Sequence, residues 1–132
     1  MPARTIMEAY FRAFNKHDPE AVAALFGRGG TYVDPAVGSG VKGKALNDYL
    51  RGHFAAFPDA GYRLVGTVAD RSGLAACEWR FKGTNTGPLG DAPATNRRVD
   101  VPGASVLQVK GGKISWLHGY YDRRNLLRQL GK

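Results

Sequence analysis

The feature that most constrains this chain is a change of periodicity at Pro58. Before it, apolar residues recur at helical spacing; after it they alternate or run in short segments separated by Gly, Pro and Asn. Ala3 to His17 places Ile6, Tyr10 and Phe14 on one helical face, widened by Met7 and Phe11, so the spacing predicts a helix buried along that face. Asp18-Pro19-Glu20 is a start signal, with a capping side chain, proline at the first helical position and an acid in the first turn. A short second helix is predicted over Ala21 to Phe26, ended by Gly27 to Gly30. Thr31 to Asp34 reads as a short strand entering a loop, Pro35 to Gly40. Lys44 to Phe57 then carries Leu46, Tyr49, Leu50, His53, Phe54 and Phe57 on one stripe, the strongest helical pattern in the chain, and Pro58 stops it.

Beyond that point the expectation is strands: Tyr62 to Ala69, a turn at Asp70 to Gly73, then Leu74 to Lys82. Gly83 to Asn96 is too long for a tight turn and belongs on a rim. Val99 to Lys110 resumes as a strand with a bulge or kink expected at Pro102-Gly103, since proline cannot donate to a ladder. Gly111-Gly112 turns the chain into a last strand, Lys113 to Asp122, and Arg123 to Leu130 reads as a terminal helix. Helices first and hairpin-connected strands afterwards mean an α+β fold, with helices on one face of an antiparallel sheet. A bent sheet curling around those helices leaves a cone-shaped cavity, a natural small-molecule pocket.

At 132 residues the chain is read as one domain, 1–132, long enough to bury its own core. Its lone cysteine, Cys77, forms no intrachain disulfide and no cysteine cluster for a metal, and is expected to be a core residue. No apolar run of membrane-spanning length or signal-peptide character occurs, so a cytoplasmic protein without a membrane partner is expected. The formal charge is +8, but the basic residues are spread from Arg4 to Lys132, with adjacent pairs at Arg97-Arg98 and Arg123-Arg124. A solvated basic surface is therefore expected rather than a nucleic-acid site.

The last strand carries the most unusual chemistry. Alternation puts Trp116, His118, Tyr120 and Asp122 on one face and Ser115, Leu117, Gly119 and Tyr121 on the other. An imidazole, a phenol and a carboxylate then share a face that either meets solvent or lines a pocket.

Several stretches resemble the SnoaL-like polyketide cyclases: Glu78 to Gly90, Pro93, the Val101-Pro102-Gly103 break, and Tyr121-Asp122 through Gly131. The resemblance implies the cone-shaped, nuclear transport factor 2-like fold, a cystatin-like α+β barrel. It also implies cofactor-free proton transfer with no metal, as in aldol ring closure, and an acid matching Asp122. Association into a homodimer through the outer face of the sheet is a further expectation from that fold.

The N-terminal half, through Tyr10, Asn15, Ala24-Leu25-Phe26 and Val33-Asp34-Pro35, is similar to the ketosteroid isomerases of the same fold. That likeness implies Asp34 as proton-shuttling base and Tyr10 as donor to an enolate. Gly103-Ala104-Ser105 lacks the acid that serves those isomerases as second oxyanion donor. Tyr120-Tyr121-Asp122 is also similar to the strand end of epoxide hydrolases, but Trp79-Arg80-Phe81 lacks their Arg-x-Asp, which ranks hydrolysis third.

The expected catalytic set is Asp122, His118, Asp34 and Tyr10. Phe14, Tyr32, His53, Phe54, Trp79, Trp116 and Tyr120 are expected around a small apolar or aromatic molecule. Each has a plainer reading. Asp122 sits where a helix N-cap belongs, Asp34 where a turn carboxylate does, and Tyr10 and His53 lie on core stripes. A non-catalytic binding or dimerising module is the alternative to an enzyme.

Overall fold

The computed structural model describes residues 2–132. Its elements follow the order α1 (Ala3–Asn15), α2 (Pro19–Ala24), β1 (Phe26–Val33), α3 (Lys44–Ala56), β2 (Gly61–Ala69), β3 (Leu74–Thr84), β4 (Arg98–Lys110), β5 (Lys113–Tyr121) and α4 (Arg123–Gln129). One five-stranded sheet has the order β1-β5-β4-β3-β2. The β2–β3, β3–β4 and β4–β5 pairs are antiparallel, whereas β1 joins β5 in parallel. The sheet is curved and unclosed, with the helices inside its curl.

The helices form where the apolar stripes predict. Ile6, Met7, Tyr10, Phe11 and Phe14 of α1 are buried, as are Leu46 and Leu50 of α3. Asp18 caps α2, its Oδ1 accepting from the Ala21 N–H at 3.0 Å.

Two strand expectations need correction. Gly27 to Gly30 does not end a helix; these residues lie inside β1, where the register against β5 shifts between Phe26 and Thr31. The physical reason is close approach: a Cβ on Gly30 would stand 2.6 Å from the Ile114 carbonyl oxygen. Pro102-Gly103 does not interrupt β4 either, which pairs with β3 in unbroken register from Arg98 to Gln108. The β5 ladder begins only at Gly103↔Tyr121. At Pro102 the strand therefore has a neighbour on one side, and the missing N–H leaves no partner unsatisfied.

The register shift that does occur along β4 and β5 falls between Gln108 and Val109, opposite Ser115. It decides which face of β5 is inside. Ile114 and Leu117 are both fully buried although three residues apart, because the bulge resets the alternation between them. From Leu117 onward the inward residues are Leu117, Gly119 and Tyr121. Trp116, His118 and Tyr120 form a row on the outer face, with Tyr120 55% exposed.

The rim segment between β3 and β4 is pinned by Asn85, 1% exposed. Its Nδ2 donates to the carbonyls of Ala56 (3.2 Å) and Gly87 (2.9 Å), and its Oδ1 accepts from Thr95 N (3.0 Å) and Oγ1 (2.9 Å). These bonds tie the segment to the end of α3, at the cone's open side.

Candidate active site

Between the helices and the concave sheet lies a cavity of about 400 Å3. Nine of its lining residues are Phe, Tyr or Trp: Tyr10 and Phe14 from α1, Tyr32 from β1, Tyr49 and Phe57 at α3, and Tyr62, Trp79, Phe81 and Tyr121 from the sheet. The sheet residues are there by alternation. Trp79 and Phe81 are successive inward positions of β3, and Tyr62 of β2 stands across the ladder from Phe81. Trp79 is held by a hydrogen bond from its Nε1 to the buried Ser105 Oγ at 2.9 Å. Its benzo ring lies over Gly103, where a Cβ would come within 2.3 Å of Cη2. Gly103 is thus the floor on which the indole rests.

Asp34 is the cavity's buried carboxylate, 5% exposed. Its Oδ2 accepts from Tyr32 Oη at 2.6 Å and from Tyr49 Oη at 2.7 Å. Its Oδ1 accepts from the N–H groups of Ala36 at 2.7 Å and Val37 at 3.2 Å. The turn after β1 supplies the two backbone donors, as expected of an aspartate before proline. The two phenols come from β1 and from α3, and the four bonds occupy the lone pairs of a carboxylate. Gly119 on β5 leaves the space beside it: a Cβ there would meet Asp34 Cβ at 3.5 Å and Tyr32 Oη at 3.6 Å.

Burial pushes the hydroxyls of Tyr10, Tyr32, Tyr49 and Tyr62 well above the usual phenol range, and the negative charge of Asp34 adds to it. Tyr121 is pushed up to about 12, again first by burial. All five therefore remain hydroxyl donors at neutral pH. His53, one turn along α3 from Tyr49, sits among the rings of Phe14, Phe57 and Phe81, with centroids 5.2–5.4 Å away. Burial lowers its pKa to about 4, so its imidazole is neutral, and its Nε2 is buried without a hydrogen-bond partner.

Of the residues expected from the sequence, Tyr10, Phe14, Tyr32, Asp34, His53 and Trp79 line this cavity together. Trp116, His118, Tyr120, Asp122 and Phe54 do not. Trp116, His118 and Tyr120, expected in the site, lie on the outer face instead, because Leu117, Gly119 and Tyr121 take the inner face after the bulge at Ser115. Asp122 is exposed and caps α4, its Oδ1 accepting from Asn125 N at 3.1 Å. Phe54 packs on Phe14 and stacks on His17 instead. Arg80 pairs with Asp100 at 2.8 Å on the outer face, away from the cavity. Tyr49, Tyr62, Phe81 and Tyr121 are cavity residues that sequence reasoning missed; Tyr49 lies in phase with His53 on α3 and Phe81 with Trp79 on β3, whereas Tyr121 lies on the face of β5 opposite the row that was named. Cys77 is buried, and burial raises its thiol to about 11, in keeping with a core role.

The chain has a cone-shaped α+β architecture, the nuclear transport factor 2-like fold. The SnoaL-like domain model matches residues 7–117, and the chain belongs to that family. Similar solved structures share the architecture at low identity. IdmH of Streptomyces antibioticus, a proposed polyketide cyclase, superposes with a TM-score of 0.83 at 20% identity, covering 100% of both chains. AclR of Streptomyces galilaeus, a proposed hydroxylase, gives 0.83 at 19%, covering 98% of this chain and 95% of its own. A proposed SnoaL-like polyketide cyclase of Jannaschia sp. CCS1 gives 0.82 at 16%, covering 98% and 94%. No curated protein matches the chain. A shared fold hosting differently described activities places the weight of a functional argument on the site.

Proposed function

We propose that this chain is a SnoaL-like enzyme that moves a proton at the carbon next to a carbonyl, in an apolar or aromatic substrate, by cofactor-free acid/base chemistry. Aldol-type ring closure and isomerisation both begin with that step. The observation that supports it is Asp34, a carboxylate buried at 5% exposure in the wall of an aromatic cavity and held by four hydrogen bonds.

Asp34 takes the proton as one phenol turns away from Oδ2. The hydroxyl so released, from Tyr32 or Tyr49, and that of Tyr10 on the same cavity donate to the developing enolate oxygen. Because the phenols stay protonated, the two that donate stabilise the oxyanion without being consumed. Positioned proton transfer of this kind contributes about 10²–10⁴-fold in rate.

Deuterium exchange at C1 of 2-tetralone, followed by proton NMR, tests the reading. Wild type is expected to accelerate exchange, Asp34→Asn to abolish the acceleration and Tyr10→Phe to reduce it. Equal exchange with wild type and Asp34→Asn would leave the alternative, a cavity that binds a small molecule without turning it over. We also propose a homodimer joined through the outer face of the sheet, where Trp116, His118 and Tyr120 form an aromatic row beside Val106.

A further inference from the structure

Among the described residues Asp34 has no positively charged partner. The ion pairs formed among the described residues are Lys44–Asp48, Arg51–Glu20 and Arg80–Asp100, and all involve solvent-exposed side chains. The four donors to Asp34 are two phenols and two backbone N–H groups, every one of them neutral. His53 adds no positive charge, since burial keeps its imidazole neutral down to about pH 4. Arg123, the cationic side chain on the lining, starts α4 at the surface, is exposed, and forms no ion pair with Asp34. The cavity thus combines a buried, cation-free carboxylate with a wall of nine aromatic rings. Both attract positive charge, the first by Coulomb's law and the second through the negative faces of the rings.

The hydrogen-bond arrangement narrows the kind of cation. With both Asp34 oxygens already accepting two bonds each, a primary ammonium finds no free lone pair and must displace a tyrosine to donate its N–H. A quaternary ammonium donates nothing, spreads its charge over methyl groups and is weakly hydrated, so aromatic faces and a nearby carboxylate suffice to hold it. We propose that the cavity binds a quaternary ammonium compound, its trimethylammonium group among the aromatic rings and Asp34 as its counter-charge. A volume of about 400 Å3 leaves room for an apolar or aromatic body attached to that group. The inference rests on the cavity being the ligand site of the reading above, and not on proton transfer within it.

The pair choline and 3,3-dimethylbutan-1-ol tests this, because the two share shape and differ in charge. By titration calorimetry at low salt, choline is expected to bind at least about tenfold more tightly than the neutral alcohol, and benzyltrimethylammonium more tightly still. Asp34→Asn, checked for folding by circular dichroism, is expected to erase most of that preference. On wild-type protein alone, the N-methyl proton signal of bound choline is expected to shift upfield from ring currents, a readout that needs no variant. Equal binding of choline and the alcohol, or a preference with no upfield shift, overturns the proposal. Binding of 2-tetralone without binding of choline overturns it too, while leaving the acid/base reading standing.

Discussion

Tyr49 of α3 and Asp34 after β1 are joined by a 2.7 Å hydrogen bond across the cavity wall, and that bond fastens the helix to the carboxylate the site is built on. Tyr49→Phe keeps the ring and removes the donor. A hydrogen bond to a charged group is worth about 1.5–3 kcal/mol, and the variant is expected to lose stability in that range by urea unfolding. Tyr32→Phe, which removes the 2.6 Å bond to the same oxygen, is expected to behave alike. Because both donate to one atom, the double variant should depart from additivity.

Gly103 carries the indole of Trp79. Gly103→Ala puts a methyl 2.3 Å from Cη2 of the Trp79 indole, so the ring or the strand has to shift. A loss of about 1–3 kcal/mol is expected, with the indole pushed into the cavity and ligand affinity falling with it. Gly66→Ala is the control, since no atom lies within 4 Å of a Cβ there. Thermal unfolding and tryptophan fluorescence of the two variants should diverge.

His53 makes the fold sensitive to acid. The folded protein keeps it neutral down to about pH 4, whereas the unfolded chain takes up the proton near the ordinary value of 6.5. As pH falls between those values the unfolded state binds the proton first, so stability is lost across that window and is unaffected by this group above it. By about pH 5 the loss from His53 is about 2 kcal/mol. His53→Phe, which fills a similar space among aromatic rings, is expected to flatten the pH dependence. Urea midpoints at about pH 7.5 and about pH 5 measure it.

The outer aromatic row predicts the effect of charge there. Tyr120→Arg places a cation at a site 55% exposed in the isolated chain, so it should leave unfolding midpoints of the monomer nearly unchanged. If the outer faces of two copies meet, that same variant should shift sedimentation from dimer to monomer at micromolar concentration. A wild-type protein already monomeric there would refute the dimer.

How far the chain could be read from its residues depended on whether the deciding interaction was local. The stripe from Leu46 to Phe57, the Asp18 cap and the strands after Pro58 are all set by near neighbours, and they form where expected. The two rows of β5 from Trp116 onward were legible, but which of them is inner was not, because the bulge at Ser115 puts Ile114 on the inner side with Leu117 rather than with His118. Asp34 was legible as a candidate from its Val-Asp-Pro setting. Its donors were only half so: Tyr32 lies two residues away, but Tyr49 reaches it from a different element, which pattern within a single segment does not report. Asn85 was hidden for the same reason, since its partners lie in α3 and at the far end of the rim segment.

The parallel pairing of β1 with β5 also sets the order of events in folding. Tyr32 pairs with Leu117 and Val33 with His118, so β1 has no sheet neighbour until the last strand exists. Closing that long loop is expected to come late and slowly, whereas the β2 to β5 hairpins form from adjacent segments. Gly119 comes to lie beside Asp34 only with that pairing, whereas the donors to Asp34 all lie between Tyr32 and Tyr49 in sequence. A nascent or partly refolded chain is expected to carry a meander of four strands with a vacant edge, open to wrong partners.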